Sequence, residues 1–165
     1  MAKLKDILKR HVMALDQGLD LGKVQDILLH PSEHRVACLV VRTAMVSELA
    51  VVCRAGDVRS YDEDTLAIRG LKVLMLGHES EEMLELLHAG SHLRKRPMLT
   101  SEGKSMGRIR RVDIDAKGDV VMYHVAHGLF GLFGRAEVAP KDVRAMGGDV
   151  AVIKPVRSPE QPKSS

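Results

Sequence analysis

The chain has 165 residues, 45% of them hydrophobic and 28% charged, with a formal net charge of +3. That length supports one ordinary domain or two small ones, and a core large enough to need neither disulfide nor metal. Tyr61, Tyr123, Phe130 and Phe133 are the only aromatic residues and Trp is missing, so the core has to be aliphatic, and a platform of rings for stacking single-stranded nucleic acid is argued against.

In chain order, Met1 to Leu8 is followed by no apolar stretch of the length a signal peptide or membrane span requires, and the expected location is the cytoplasm. Asp16-Gln17-Gly18 is a turn ending in a residue that accepts positive φ, and Gly22 in the next strand marks a bulge or tight bend. After the HPSEH turn from His30 comes VACLVV, a continuous apolar run that fits a strand covered on both faces. Cys38 lies in this run and Cys53 in the following segment around Val51 and Val52; both are expected as buried small hydrophobes, not as a disulfide. Asp57-Val58 and a closing strand, TLAI, end the stretch.

HESEEMLELLHAG then predicts the clearest helix, with Ser80 as cap, Glu81 and Glu82 at the positive end, His88 in the last turn and Gly90 as the stop. Met83, Leu84 and Leu87 form its apolar face. That face is expected to pack on the flanking β units, a homodimer contact being the alternative. The earlier series of elements now recurs: the Ser101-Glu102-Gly103 turn, a strand with Gly107, the DAKGD turn from Asp115, the run VVMYHV, a segment around Val138 and Ala139, Asp142-Val143, and the closing strand VAVI. From Pro155 the polar, Pro-rich PVRSPEQPKSS is expected to be disordered.

The recurrence holds register. Leu8 pairs with Leu93, Met13 with Met98, Gly18 with Gly103, Gly22 with Gly107, Val24 with Ile109, Ile27 with Val112, Asp57 with Asp142 and Asp64 with Asp149, always at an offset of 85. A constant offset across several loops indicates tandem duplication. The units are residues 1–70 and 93–154, with a linker at 71–92 and a tail at 155–165. Short strands at this spacing predict a mainly β fold of two small barrels, in which closure removes exposed sheet edges. Residues 1–70 carry ten basic and ten acidic side chains, and residues 93–154 carry twelve and seven. The positive excess therefore belongs to the second unit.

The G-x-x-x-G-K-V-x-D-I-L-L pattern of Gly18 to Leu29, the apolar strand after the next turn, the Asp-Val before the closing strand and the GLFGLFG segment from Gly128 resemble the PRC-barrel family. That family includes the cytoplasmic domain of the photosynthetic reaction-centre H subunit and the C-terminal domain of a ribosome maturation factor. The resemblance covers nearly all of the chain except linker and tail. It implies two PRC-barrel-like β-barrels in tandem with one short linking α-helix. It also implies a non-catalytic adaptor or assembly module that docks proteins, some such modules acting on ribosomes and some at membranes, and it carries over no catalytic residue. Asp26 is matched by Arg111 and Leu28 by Asp113, so the two barrels are not expected to bind the same thing.

No residue constellation points to a metal, a cofactor or an enzymatic reaction. The histidine pairs His30/His34, His88/His92 and His124/His127 fall short of the three or four convergent ligands of a zinc site. Cys38 and Cys53 lack an activating setting, no Ser stands in a G-x-S-x-G elbow, and GLFGLFG lacks the Lys-Ser/Thr of a phosphate loop.

Two candidate sites remain, both in the second unit. Phe130, Leu132 and Phe133 on an exposed hairpin tip would anchor a protein partner; turned inward, they would close the barrel. Arg94, Arg96, Arg108 and Arg110 are candidate contacts to RNA phosphates for a ribosome- or RNA-associated assembly factor, Arg108 and Arg110 sharing one face of an extended strand. The same basic face would serve peripheral attachment to anionic lipid. The expectation is an adaptor that binds protein partners of unspecified identity, with RNA association as the alternative.

Overall fold

The computed structural model describes residues 2–30, 32–44, 46–61, 63–90, 95–128, 132, 134–147 and 149–154, with backbone alone for 46–50 and for 89 and 90. The fold is mainly β. Its elements are β1 (Ala2–Lys3), α1 (Leu4–Ile7), β2 (His11–Ala14), β3 (Leu19–Leu29), β4 (Val36–Thr43), β5 (Val46–Arg54), β6 (Leu66–Ile68), β7 (Leu74–Leu76), α2 (Glu81–Gly90), β8 (Pro97–Thr100), β9 (Ser105–Ile114), β10 (Val120–Ala126), β11 (Arg135–Val138), β12 (Val143–Met146) and β13 (Ala151–Ile153).

Two sheets contain these strands. The first runs β6-β2-β3-β4-β5-β7, and the second runs β11-β10-β9-β8-β13-β12 with β1 added beside β9. Both have the same plan: four successive antiparallel strands, then a closing strand that returns parallel to the first of them. Val12 stands opposite Leu66 in one unit and Met98 opposite Ala151 in the other. A 3-10 turn at Ala55–Asp57 folds the chain back so that Val58 bridges Ile68, and a turn at Pro140–Asp142 likewise sets Val143 opposite Ile153. Each sheet thus curls on itself, barrel-like, with its apolar faces inside.

Two glycines allow the curl. Gly22 and Gly107 sit at φ +125° and +102°, where β3 and β9 each carry one extra residue, Leu21 or Met106, against the preceding strand. Such bulges bend and coil a strand. A side chain at either position would run into the backbone of the next strand, at the Arg42 or the Ala126 carbonyl. The registers also correct one sequence pairing. Met98 occupies the place of Val12, not of Met13, because the turn between first and second strand is one residue longer in the first unit. Arg96 then corresponds to Arg10: their carbonyls accept hydrogen bonds from the matched Ile109 and Val24 amides.

The inward side chains of both units form one continuous cluster, with Val24, Leu39 and Leu66 of the first and Met98, Ile109 and Ile153 of the second among its fully buried members. The hairpin tips join the units: the Val36 amide donates to Gly118, the Val120 amide to His34 and the Tyr61 amide to Ala116. The Tyr61 ring packs so tightly on Gly118 that a Cβ there would lie 2.8 Å from Cε2. Tyr123 hydroxyl and His34 Nδ1 are 2.8 Å apart at the same junction, and burial pulls the His34 pKa down. β1 pairs with β9, Ala2 opposite Ile114, so the start of the stretch 1–70 completes the second sheet.

The helix forms where its capping pattern predicts, with Ser80 Oγ accepting from the Met83 amide. Its buried face differs from expectation: Met83, Leu86 and the partly buried Leu87 cover Leu28, Cys38, Val40 and Val52, while Leu84 is 37% exposed. Positions i, i+3 and i+4 define that stripe. Within the linker stretch, β7 adds an unanticipated strand to the edge of β5. Cys38 lies under this helix and Cys53 in the main core, on opposite faces of the sheet, both free. Burial pushes each thiol up to about 12, which leaves them inert.

Candidate functional site

The second sheet departs most from the first on its outer face. Leu28 faces Cys38 and Val40 faces Val52 in the first unit; in the second, Asp113 faces Met122 and His124 faces Glu137. The apolar surface that α2 covers has thus become polar. VVMYHV, expected to be covered on both faces, is closed on the inner one only: Val120, Tyr123 and Val125 are buried, whereas His124 and Met122 are half-buried.

These outer side chains form a closed ionic network. His124 Nε2 is 2.7 Å from Asp113 Oδ2 and 2.9 Å from Arg111 Nη2, and Arg111 Nη2 donates to Asp113 Oδ2 at 3.2 Å. Arg111 Nε is 3.0 Å from Asp113 Oδ1, and His124 Nδ1 is 3.4 Å from Glu137 Oε1. Asp113 is only 5% exposed. Burial works to raise its carboxyl, but the hydrogen bonds from His124 and Arg111 override that and hold it below the ordinary carboxylate range. The Asp113–His124 pair sits with the Arg111 guanidinium and a second carboxylate, that of Glu137.

The basic residues are split. Arg108 and Arg110 line one recess of about 240 Å³ together with Ser105, Gly107, His127 and Gly128. Arg108 Nη1 donates to the Lys95 carbonyl at 2.9 Å, which fixes one edge of the recess. Arg96 does not join them. It is 6% exposed, and burial lowers its pKa against the pull of Asp149. Its counterpart Arg10 donates from Nη1 to the Tyr61 and Glu63 carbonyls at 2.8 and 2.7 Å and so ties a loop to the barrel. Arg111 is held in the outer network. Arg94 lies outside the described residues.

In the β10–β11 loop Leu132 is 75% exposed, the most exposed large apolar side chain among the described residues. Phe130 and Phe133 lie outside the described residues. The loop starts at the recess, since His127 lines the one and its amide donates to Gly134 across the base of the other. His127 was not singled out by sequence as part of this site; its place immediately before GLFGLFG is the only signal. Among the described residues no three His, Cys, Asp or Glu side chains come together as metal ligands, and no helix is long and apolar enough to cross a membrane. No protein-family model matches the chain, and no curated protein matches it.

Proposed function

We propose that the protein is a non-catalytic adaptor of the PRC-barrel type that binds a protein partner on its second barrel, at the β10–β11 loop and the arginine recess beside it. The observation that carries this reading is Leu132, 75% exposed in the loop that leaves a recess lined by Arg108, Arg110 and His127. An apolar anchor flanked by cations suits a partner segment that combines an apolar residue with carboxylates. The twice-repeated strand order and the bulge glycines at 22 and 107 support the family resemblance. A cytoplasmic location goes with this reading, and the free, buried cysteines fit it.

The recess also supports a second reading, association with a ribosome or RNA, because two guanidinium groups in one concavity can hold a phosphate. One experiment separates the two. A photo-crosslinking residue is placed at Leu132 in the full chain in its native cell, with Leu19, 47% exposed, as the control position. The adaptor reading expects a discrete protein adduct at Leu132 only, lost in R108E/R110E. RNA adducts in its place overturn it in favour of the second reading, and equal adducts at both positions overturn both.

A further inference from the structure

The two units differ at one matched corner, where the bulge of the second strand meets the end of the third. In the first unit His11 stands opposite Lys23, Val12 opposite Gly22, Met13 opposite Asp20, and Lys23 in turn opposite Arg42. In the second, Pro97 stands opposite Arg108, Met98 opposite Gly107, Leu99 opposite Ser105, and Arg108 in turn opposite Ala126. Ser105 therefore takes the place of Asp20, Arg108 of Lys23, Ala126 of Arg42 and Pro97 of His11. Two residues further along the strand Arg110 takes the place of Gln25. The bulge glycines agree with this match, since a Cβ at Gly22 would meet the Arg42 carbonyl and one at Gly107 the Ala126 carbonyl.

These exchanges remove an anion and a bulky side chain while keeping the cations. In the first unit Asp20 Oδ1 accepts from the Gly22 amide at 3.0 Å and Oδ2 lies 2.6 Å from His11 Nδ1, so that corner holds its own carboxylate. In the second the Gly107 amide donates to Ser105 Oγ at 3.3 Å: the backbone contact is kept and the charge is gone. The recess of about 240 Å³ lies here, with a methyl group, that of Ala126, in its wall where the first unit has an arginine. Arg108, Arg110 and His127 line it, and no described carboxylate does. Arg108 gives Nη1 to the Lys95 carbonyl. Arg110 is exposed and has no hydrogen-bond or ion-pair partner among the described residues.

The geometry points to a ligand: the recess binds the terminal, doubly charged phosphate of a phosphate monoester or of free phosphate. Two guanidinium groups with no carboxylate beside them are matched by two negative charges. A carboxylate brings one, whereas a phosphate monoester carries about −1.5 to −2 near neutral pH. Its three terminal oxygens can accept from Arg108 and Arg110, from the His127 ring and from the Ser105 hydroxyl, whose oxygen already accepts and whose hydrogen is left to donate. A phosphodiester within a nucleic-acid strand has a single charge and continues on both sides, which suits an open groove and not a recess. The shared chemistry is the terminal phosphate, carried by a small molecule or by a phosphorylated side chain. The inference uses arginines of the proposed docking site but needs no protein partner for its test, so either reading can fail alone.

The test is a set of ¹H–¹⁵N correlation spectra of the full chain at about pH 7.5, where the monoester is mostly dianionic. At constant ionic strength the chain is titrated with inorganic phosphate, an alanine-flanked phosphoserine peptide, dimethyl phosphate and acetate. Binding is read from the amides of Gly107 and Gly128, which line the recess, with the Gly22 amide as control at the matched corner. Inorganic phosphate and the phosphopeptide are expected to shift the first two saturably, and to bind at least about tenfold more tightly than dimethyl phosphate or acetate, each of which has one charge. A phosphopeptide that binds more tightly than inorganic phosphate places the group on a side chain; equal or weaker binding places it on a small molecule. R110Q removes an exposed cation without a described partner, so the fold is kept and affinity should fall at least about tenfold. S105D restores the first unit's carboxylate and should do the same. No saturable shift with either phosphate, acetate or dimethyl phosphate binding as tightly, equal shifts at Gly22, or an affinity unchanged in R110Q or in S105D would each overturn the inference.

Discussion

Replacing Gly107 by alanine tests whether close approach between strands, and not conformational freedom alone, demands a glycine at the bulge. At φ +102° the new Cβ would lie 2.6 Å from the Ala126 carbonyl carbon and 2.8 Å from the His127 amide nitrogen. Both are backbone atoms, the first in the paired β10, so neither can swing aside as a flexible side chain would. Holding an L-residue in this sparsely populated conformation costs roughly 1–3 kcal/mol. Separating β9 from β10 gives up one or two ladder hydrogen bonds at about 1 kcal/mol each. The expected loss is therefore about 3–4 kcal/mol, or about 10 °C in Tm for a chain of this size. G22A should behave alike, its Cβ falling 2.9 Å from the Arg42 carbonyl carbon at φ +125°. G103A is the control: φ is +85° but nothing lies within 4 Å of the added methyl, so only the conformational cost of roughly 1–2 kcal/mol applies. Urea unfolding with unchanged m-values gives the three losses. A G107A loss no larger than that of G103A would mean that the β10 backbone does not exclude a side chain at the bulge.

Two further outcomes follow from burial and charge. Against the opposing effect of burial, the hydrogen bonds from His124 and Arg111 hold the Asp113 carboxyl below the ordinary carboxylate range in the folded protein. Its stabilising contribution is thus present above the unfolded value and is lost as pH falls through the folded one. Urea unfolding from neutral pH downward should show that loss in wild type, while D113N should lack it and be less stable at neutral pH by about 1–3 kcal/mol; identical pH profiles would count against the network. On the helix, L86A should cost about 2–4 kcal/mol because Leu86 is buried against the first sheet. L84A should change stability by no more than about 0.5 kcal/mol, and the reverse order would mean the helix presents its other face.

Much of the architecture is legible in the residues themselves. Gly18 and Gly103 are turn glycines and Gly22 and Gly107 bulge glycines, all four at positive φ, a need that only glycine meets without strain. The helix announces itself through Ser80, its acidic first turn and Gly90, because caps act on neighbouring backbone groups. The candidate site was legible in part. Arg108 and Arg110 come together as two residues on one strand face should, whereas Arg96, identical in charge and close in sequence, is buried. Nothing local distinguishes them, since burial of a side chain is decided by what packs over it.

The short-range content is therefore written in the residues: the strands of two β units, their turns, their bulges and the linking helix, each set by backbone preference and periodicity over a few residues. The tertiary structure decided the rest. It moved the first-strand alignment from Met13 to Val12, spent β1 on the far sheet and β7 on the edge of β5, fused the two interiors into one core, and left β11 without a described second neighbour. It also separated the two outer faces, one apolar beneath α2 and the other held by Arg111, Asp113, His124 and Glu137. The physical reason is the same in each case. Which strand pairs with which, and which face is covered, depends on surface buried between segments far apart in the chain, and no local pattern records that partner.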